Sequence, residues 1–216
     1  MRENQCDGRI GLAFEGLSRG GAVKHVFTTR DREGGGNLSL SGGRDQDAAR
    51  RERAFWSKQI GVSSEDWVVG GQVHGASIAL VDEAHRGRGA LDPSGVIANT
   101  DGLITQTRGL PLYVASADCA AVVIHAPGAQ QALAVIHAGW RGLAAGILTG
   151  AVQQLAERSA ADPSTFLAGV GPCIGLTHFE VVDEVAEQFL GVIGDADRRN
   201  IVLDQHPFVR SQEFQF

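Results

Sequence analysis

The chain has 216 residues, of which 43% are hydrophobic and 20% charged, and its formal net charge is −6. This length suits a single domain with one sizeable core. The negative charge argues against a nucleic-acid partner, because such proteins need Lys and Arg to neutralise phosphates. No apolar run approaches the roughly 20 residues that cross a bilayer, so we expect no membrane partner.

The first residues of the chain, Met1 to Asp7, are polar and lack the apolar stretch of a signal peptide. We therefore expect a cytoplasmic location. In such a reducing compartment, Cys6, Cys119 and Cys173 are expected to remain free thiols or to act as metal ligands.

In chain order, the pattern predicts a mixture of short strands and helices. Residues 22–28 have a β-rich composition, and Asp45 is a plausible N-cap for a helix near 46–60. Further strands are predicted at 67–73, 76–82, 102–105, 111–116, 121–126, 132–138 and 166–170. Helical periodicity runs from Gly142 to about Arg158, and a last helix is expected near 180–191. This mixture indicates an α/β or α+β fold, between which the pattern does not choose. No low-complexity linker divides residues 1–216, so we expect one domain.

Three short motifs place a potential metal ligand at the end of a predicted strand, beside small residues. They are Gln72-Val73-His74-Gly75, Ala117-Asp118-Cys119 and His137-Ala138-Gly139-Trp140-Arg141-Gly142. Two imidazoles and one thiolate suit zinc and leave a fourth position open, as in catalytic zinc sites.

Two other interpretations of these residues stay open. His74 and His137 can be ordinary core histidines and Cys119 a small buried residue. Alternatively, Cys119 can be a nucleophile with His137 as its base, which leaves His74 without a role.

Arg141 is the strongest candidate for binding an anion. It stands at the start of the helix predicted to open near Gly142, where free N–H groups and the helix dipole favour negative charge. Its planar guanidinium can grip a phosphate with two hydrogen bonds. The alternative is a surface arginine packed along Trp140.

Together with Gly171-Pro172-Cys173-Ile174-Gly175, the three motifs resemble, in the same order, those of the YfiH-type family, also called the laccase-domain or polyphenol oxidase family. The resemblance runs from about His25 to Leu203. It implies a layered α+β fold similar to the catalytic domain of cytotoxic necrotising factor. It also implies zinc bound by His74, Cys119 and His137, and phosphorolysis of adenosine, inosine, guanosine and methylthioadenosine, with deamination of adenosine.

The resemblance also suggests residues that contact substrate. Arg30 follows the family's Thr-Arg pattern and is a second anion candidate, and Asn37 either orients substrate or stabilises a turn. Cys173 is expected in a tight turn near the site, not on the metal. Asp118 can orient a ligand in a catalytic role or cap a turn.

The chain departs from the family's pattern near its C-terminal end, and its residues also fit two other functions. The family's Phe-x-Ser-x-Arg-Arg stretch has no counterpart after about Leu203, which implies a shortened or divergent C-terminal end and bears on a possible homodimer. A copper-dependent phenol oxidase is one rival function, although Met1 is the only methionine available as a weak axial ligand. A non-catalytic, metal-stabilised binding module is the other.

Overall fold

The computed structural model describes residues 1–30, 35–41, 43, 45–175, 178–190, 201–203 and 209–211. Its strands are β1 Arg2–Cys6, β2 Arg9–Ala13, β3 Phe27–Thr28, β4 Val68–Val69, β5 Ile78–Leu80, β6 Gly102–Thr105, β7 Leu112–Tyr113, β8 Ala120–Ala126, β9 Ala132–Ala138, β10 Leu167–Val170, β11 Ile201–Leu203 and β12 Val209–Ser211. Its α-helices are α1 Glu15–Ser18, α2 Gln46–Ile60, α3 Trp140–Ala144, α4 Ile147–Ser159 and α5 Asp183–Leu190.

The main sheet has five strands in the order β10-β8-β9-β6-β5. Only β5 and β6 pair in parallel, and the other neighbours are antiparallel. Strands β8 and β9 are almost wholly apolar because α4 covers one face of the sheet, with Ile147 and Leu155 packed against Ile124 and Ile136. This mixed α+β arrangement confirms the predicted fold class, and the likeness to cytotoxic necrotising factor stays a prediction.

A second sheet, in the order β1-β2-β3, packs against the β10 edge of the main sheet. The rings of Phe14 and Phe27 lie directly over Gly169 and Gly171, where no Cβ could be accommodated. The sequence pattern did not predict β1 and β2, because β1 is polar and largely exposed. The overlooked signal is Asp7-Gly8, both with positive φ, a dipeptide that favours tight hairpin turns.

The remaining predicted elements are mostly present but shorter. Helix α2 begins after Asp45, whose side chain accepts from the N–H of Ala48, as predicted. The strand expected at 22–28 is reduced to β3. The helix expected from Gly142 is split into α3 and α4, because Gly146 has φ 81° and no helix continues through that conformation. No helix among the described residues is long and apolar enough to cross a membrane.

His25 explains why residues 22–26 are not a strand. Its Nε2 accepts from the N–H of Phe14 at 2.9 Å, its Nδ1 donates to the carbonyl of Val23, and its ring packs against those of Phe14 and Phe27. Burial lowers the pKa of His25, only partly offset by the bond to Val23.

This lowered pKa predicts a pH-dependent stability. Below the unfolded-state pKa of about 6.5, His25 binds a proton more readily in the unfolded chain than in the folded one. The free energy of unfolding should therefore fall as pH drops from about 7.5 to 5.5. His25→Gln keeps an acceptor for Phe14 without titrating, and should weaken this dependence. Urea unfolding with a metal chelator present measures it. An unchanged slope in the variant would show that other groups, such as buried His125, account for the effect.

Candidate metal centre

The structure brings together the three predicted ligands. His74 lies in the loop between β4 and β5, Cys119 stands directly before β8, and His137 belongs to β9. Their ligand atoms all lie within 4.8 Å of one another, and no other such group of His, Cys, Asp or Glu occurs among the described residues. Tetrahedral zinc ligands stand about 3.5 Å apart, so the donors fit the metal after a modest contraction.

The surroundings of the three ligands differ. His137 is buried, Cys119 is half-buried and His74 is exposed. The rings of His74 and His137 meet edge to face with centroids 4.8 Å apart. Because His74 is exposed, a metal held here would remain accessible to solvent, as an open catalytic site requires.

Gln72 joins two of the ligand-bearing loops. Its side-chain amide donates to the carbonyl of Ala115 and accepts from the N–H of the same residue, both at 2.7 Å. The loop of His74 is thereby tied to the segment that leads to Cys119. Sequence reasoning recognised Gln72 only as part of a motif and missed this role.

Two glycines of the third motif are required by close packing. A Cβ on Gly139 would lie 3.0 Å from Cδ2 of His74 and 3.5 Å from Sγ of Cys119. A Cβ on Gly142 would lie 2.5 Å from the carbonyl oxygen of Gly75. The start of α3 therefore presses directly on the His74 loop, and a side chain at either position would push the ligands apart.

Asp101 is the main site residue that sequence reasoning missed. Its carboxylate is buried and bonds to His137 Nδ1 at 2.9 Å and to the N–H groups of Val73, His74 and Gly75. Burial raises the pKa of this carboxyl, but these hydrogen bonds outweigh it and hold the pKa below the usual value. The available signal was an ionisable residue standing directly before the apolar strand β6.

The environment of Cys119 bears on the nucleophile alternative. Burial raises the pKa of its thiol, and the nearby charges of Asp118, Asp101 and Cys173 raise it further. Catalytic thiols have lowered pKa values, so these surroundings disfavour a free nucleophile. A cation would replace the thiol proton, as metal binding to cysteine does.

Cys173 lies opposite Cys119. Gly171 donates to the carbonyl of Ala121 and Ile174 to that of Asp118, which carries the antiparallel register of β10 and β8 past their ends. Cys173 therefore lies near Cys119, close enough to act on it electrostatically. Cys173 is exposed and lies outside the ligand group, and residues 171–175 form no regular turn, so its predicted contact with substrate stays a prediction.

Arg141 is exposed, and its guanidinium lies 4.2 Å from the centre of the Trp140 ring. The packing along Trp140 expected as the alternative is therefore present. Helix α3 begins at Trp140, two residues before the expected start, and Arg141 occupies its first turn. Arg141 is exposed and follows His137 by four residues, so stacking on Trp140 and anion binding are compatible.

The other predicted site residues are more peripheral. Asp118 is exposed, and the carboxylate that bonds a ligand is that of Asp101. Asn37 pairs its amide with the N–H and carbonyl of Ser39, the turn-stabilising alternative. Arg30 is exposed just beyond β3. Roles for these three residues in catalysis or substrate binding stay predictions.

Comparison with protein-family models matches residues 19–211 to the family described as multi-copper polyphenol oxidoreductase laccase. The chain belongs to this family. Its resemblance to YfiH-type proteins is thereby confirmed. The family description does not by itself identify the metal or the reaction of this chain.

Relatives and solved structures agree with this assignment. The chain is 33% identical over 174 residues to purine nucleoside phosphorylase YlmD of Geobacillus stearothermophilus, covering 81% of this chain and 63% of the relative. The crystal structure of that YlmD matches with a TM-score of 0.76 and 30% identity, covering 82% of this chain and 65% of the other. Hypothetical protein YfiH of Bacillus licheniformis matches at 0.77 and 26%, covering 82% and 66%.

A further relative carries a different name. Adenosine deaminase RL5, from an unknown prokaryotic organism, is 30% identical over 177 residues, which covers 82% of this chain and 67% of the relative. The chain therefore spans about two thirds of the length of these proteins, and slightly less for YlmD.

The packing of Gly142 against the His74 loop gives a direct test of the site's construction. Gly142→Ala should lower the free energy of unfolding by about 1–3 kcal/mol, because the methyl group collides with the backbone of Gly75. Gly150→Ala is the matched control in α4, where the nearest atom would be 3.9 Å away. It should be neutral or stabilising, by about 0.5–1 kcal/mol. Urea unfolding of both variants measures this. Equal stabilities would contradict the close approach.

Proposed function

We propose that the protein is a zinc-dependent purine nucleoside phosphorylase with adenosine deaminase activity, acting on adenosine, inosine, guanosine and methylthioadenosine. The observation that carries the proposal is the convergence of His74, Cys119 and His137, of which His74 is exposed to solvent. The names of the relatives, phosphorylases and one deaminase, agree with it.

Zinc with three protein ligands supplies a Lewis acid and keeps a position for a non-protein ligand. The chain's own residues perform the positioning. The buried Asp101 and the amide of Gln72 hold the loops of two ligands, while Gly139 allows those loops to approach. Such preorganisation is worth more than flexible contacts, because no reorganisation is needed during the reaction.

Phosphate binding is assigned to Arg141. Its guanidinium is exposed, and its stacking on Trp140 limits its rotation, so little side-chain entropy would be lost on binding. Arg30 is the second anion candidate, and Asn37 and Cys173 are proposed to contact the nucleoside. Asp118 is proposed as a catalytic carboxylate beside Cys119.

The family description makes copper-dependent phenol oxidation the rival activity. Two histidines and a cysteine also suit copper. Multi-copper oxidation needs additional metal sites, however, and the described residues contain only one candidate group. Met1, which directly precedes β1, is exposed and lies outside that group. A non-catalytic metal-stabilised module is the second rival, and a closed four-ligand site would favour it.

The remaining parts of the proposal concern the whole protein. We infer a single catalytic domain over residues 1–216, a cytoplasmic location, and small-molecule partners without nucleic acid or membrane. A homodimer is the assembly to test, by sedimentation at several protein concentrations.

Metal content distinguishes the candidate functions. The purified protein should carry about one zinc per chain, as three convergent ligands imply. Cys119→Ser should lose zinc and activity together, whereas Cys6→Ser, remote from the group, should keep both. Elemental analysis and nucleoside turnover measure this. Stoichiometric copper in protein never exposed to added copper would favour the oxidase. A zinc-loaded but inactive Cys119→Ser protein would restore the nucleophile alternative.

Cleavage of nucleosides should depend on phosphate, and Arg141 should supply much of that dependence. Arg141→Ala should lower kcat/KM for phosphorolysis about 100-fold, chiefly through phosphate binding, with zinc still bound. Deamination of adenosine uses water and should fall less. Arg51→Ala, an exposed arginine of α2, is the matched control.

The assay follows free base and ribose 1-phosphate while phosphate is varied from none to saturating. Free ribose formed at the same rate without phosphate would indicate a hydrolase. A phosphate dependence that survives Arg141→Ala would transfer the anion site to another residue, with Arg30 tested next.

A further inference from the structure

Asp101 and His137 are joined twice across the sheet. The register of β6 and β9 pairs Gly102 with Ile136, so Asp101 stands opposite His137 one position beyond the strand. The N–H of His137 donates to the carbonyl of Asp101 at 2.7 Å, and the carboxylate Oδ1 lies 2.9 Å from Nδ1 of the imidazole. Both residues are buried, so neither bond is exchanged readily for water.

The chemistry of this pair determines which nitrogen of His137 can bind a metal. An ionised carboxylate only accepts hydrogen bonds, so Nδ1 of His137 must carry the proton. In the neutral imidazole, Nε2 then keeps its lone pair and becomes the ligand atom. The pair thus selects one of two tautomers before any metal arrives.

The same carboxylate also holds the other histidine. Oδ1 accepts from the N–H of His74 at 2.9 Å, and Oδ2 accepts from Val73 at 3.1 Å and Gly75 at 2.9 Å. His74 has φ 61°, a left-handed conformation that is uncommon for residues other than glycine. Three hydrogen bonds to one buried carboxylate stabilise this loop in a conformation that it would otherwise leave.

We propose that Asp101 is the positioning residue of the metal centre, coupling His74 and His137 so that both present their ligand atoms in one arrangement. This inference rests on the metal site of the proposed function. It assigns to Asp101 a role through the two histidines, without contact to metal or substrate.

Asp101→Asn is the informative substitution, because it keeps the size of the side chain. Four donors surround the carboxylate, and an amide offers one oxygen and one NH₂ group. If the NH₂ group faces Val73 and Gly75, it repels the His74 loop. If it faces His137, the imidazole must accept at Nδ1 and carry its proton on Nε2, where a metal would bind. Either orientation impairs one histidine ligand.

Zinc affinity is measured by competition with a chromophoric chelator at constant pH. Asp101→Asn should bind zinc about 10- to 100-fold more weakly than the wild type, the range found when partners of metal-bound histidines are removed. Asp162→Asn is the control, since that exposed carboxylate also accepts a backbone N–H, from Ser164, far from the site. It should bind zinc like the wild type. Circular dichroism in chelator establishes that each variant is folded.

A second measurement needs neither zinc nor Asp101→Asn. Nitrogen-15 NMR of metal-free wild type at about pH 8, with His137 assigned through His137→Gln, should show the proton on Nδ1. A proton on Nε2 would overturn the proposal, even if Asp101→Asn failed to fold. Folded Asp101→Asn with unchanged zinc affinity would overturn it as well.

The outcomes also separate this proposal from the proposed function. Zinc-loaded wild type without phosphorolysis would refute the proposed activity and leave the role of Asp101 intact. Wild type that takes up no zinc would refute both.

Discussion

The antiparallel pairing of β8 with β9 is the constraint on which the site depends. Its register sets Ala121 opposite His137 and Ala120 opposite Ala138, so Cys119 emerges beside Gly139, two residues after His137. The pairing of β9 with β6 brings Asp101 to the same end of the sheet. A slip of one residue in either pairing would turn His137 to the opposite face of the sheet, away from Cys119. The apolar core between this sheet and α4 opposes such a slip, because the slip would turn Ile136 away from that core.

The sequence was sufficient to predict which three side chains converge but not what holds them in place. His74, Cys119 and His137 stood out because each combined a metal-binding side chain with small neighbours at the end of a predicted strand. Asp101 was not singled out, since three of its four partners are backbone N–H groups that leave no trace in the sequence. Asp118 attracted notice through its position beside Cys119, and the structure places it, exposed, in the bend that leads into β8.

Boundaries of elements were harder to predict for related reasons. Helix α2 was predicted closely, because a capping aspartate and a terminal glycine define its ends locally. The strand expected at 22–28 begins only at Phe27, because His25 bonds to Phe14, a contact eleven residues away along the chain. The division between α3 and α4 depends on a left-handed glycine, which a pattern of apolar residues passes over. Interactions between residues close in sequence could be predicted, whereas contacts between distant segments could not.

The three proposed ligands are 45 and 18 residues apart along the chain, and they converge only when three separate segments are in place. A metal bound by all three would therefore favour the folded state over the unfolded one by mass action. At a free concentration one hundred times its Kd, the gain is about 2.7 kcal/mol, a large share of a typical domain's stability. The amount of folded protein would then follow the supply of metal, and scarcity of the ion would shorten the protein's lifetime as well as silence it.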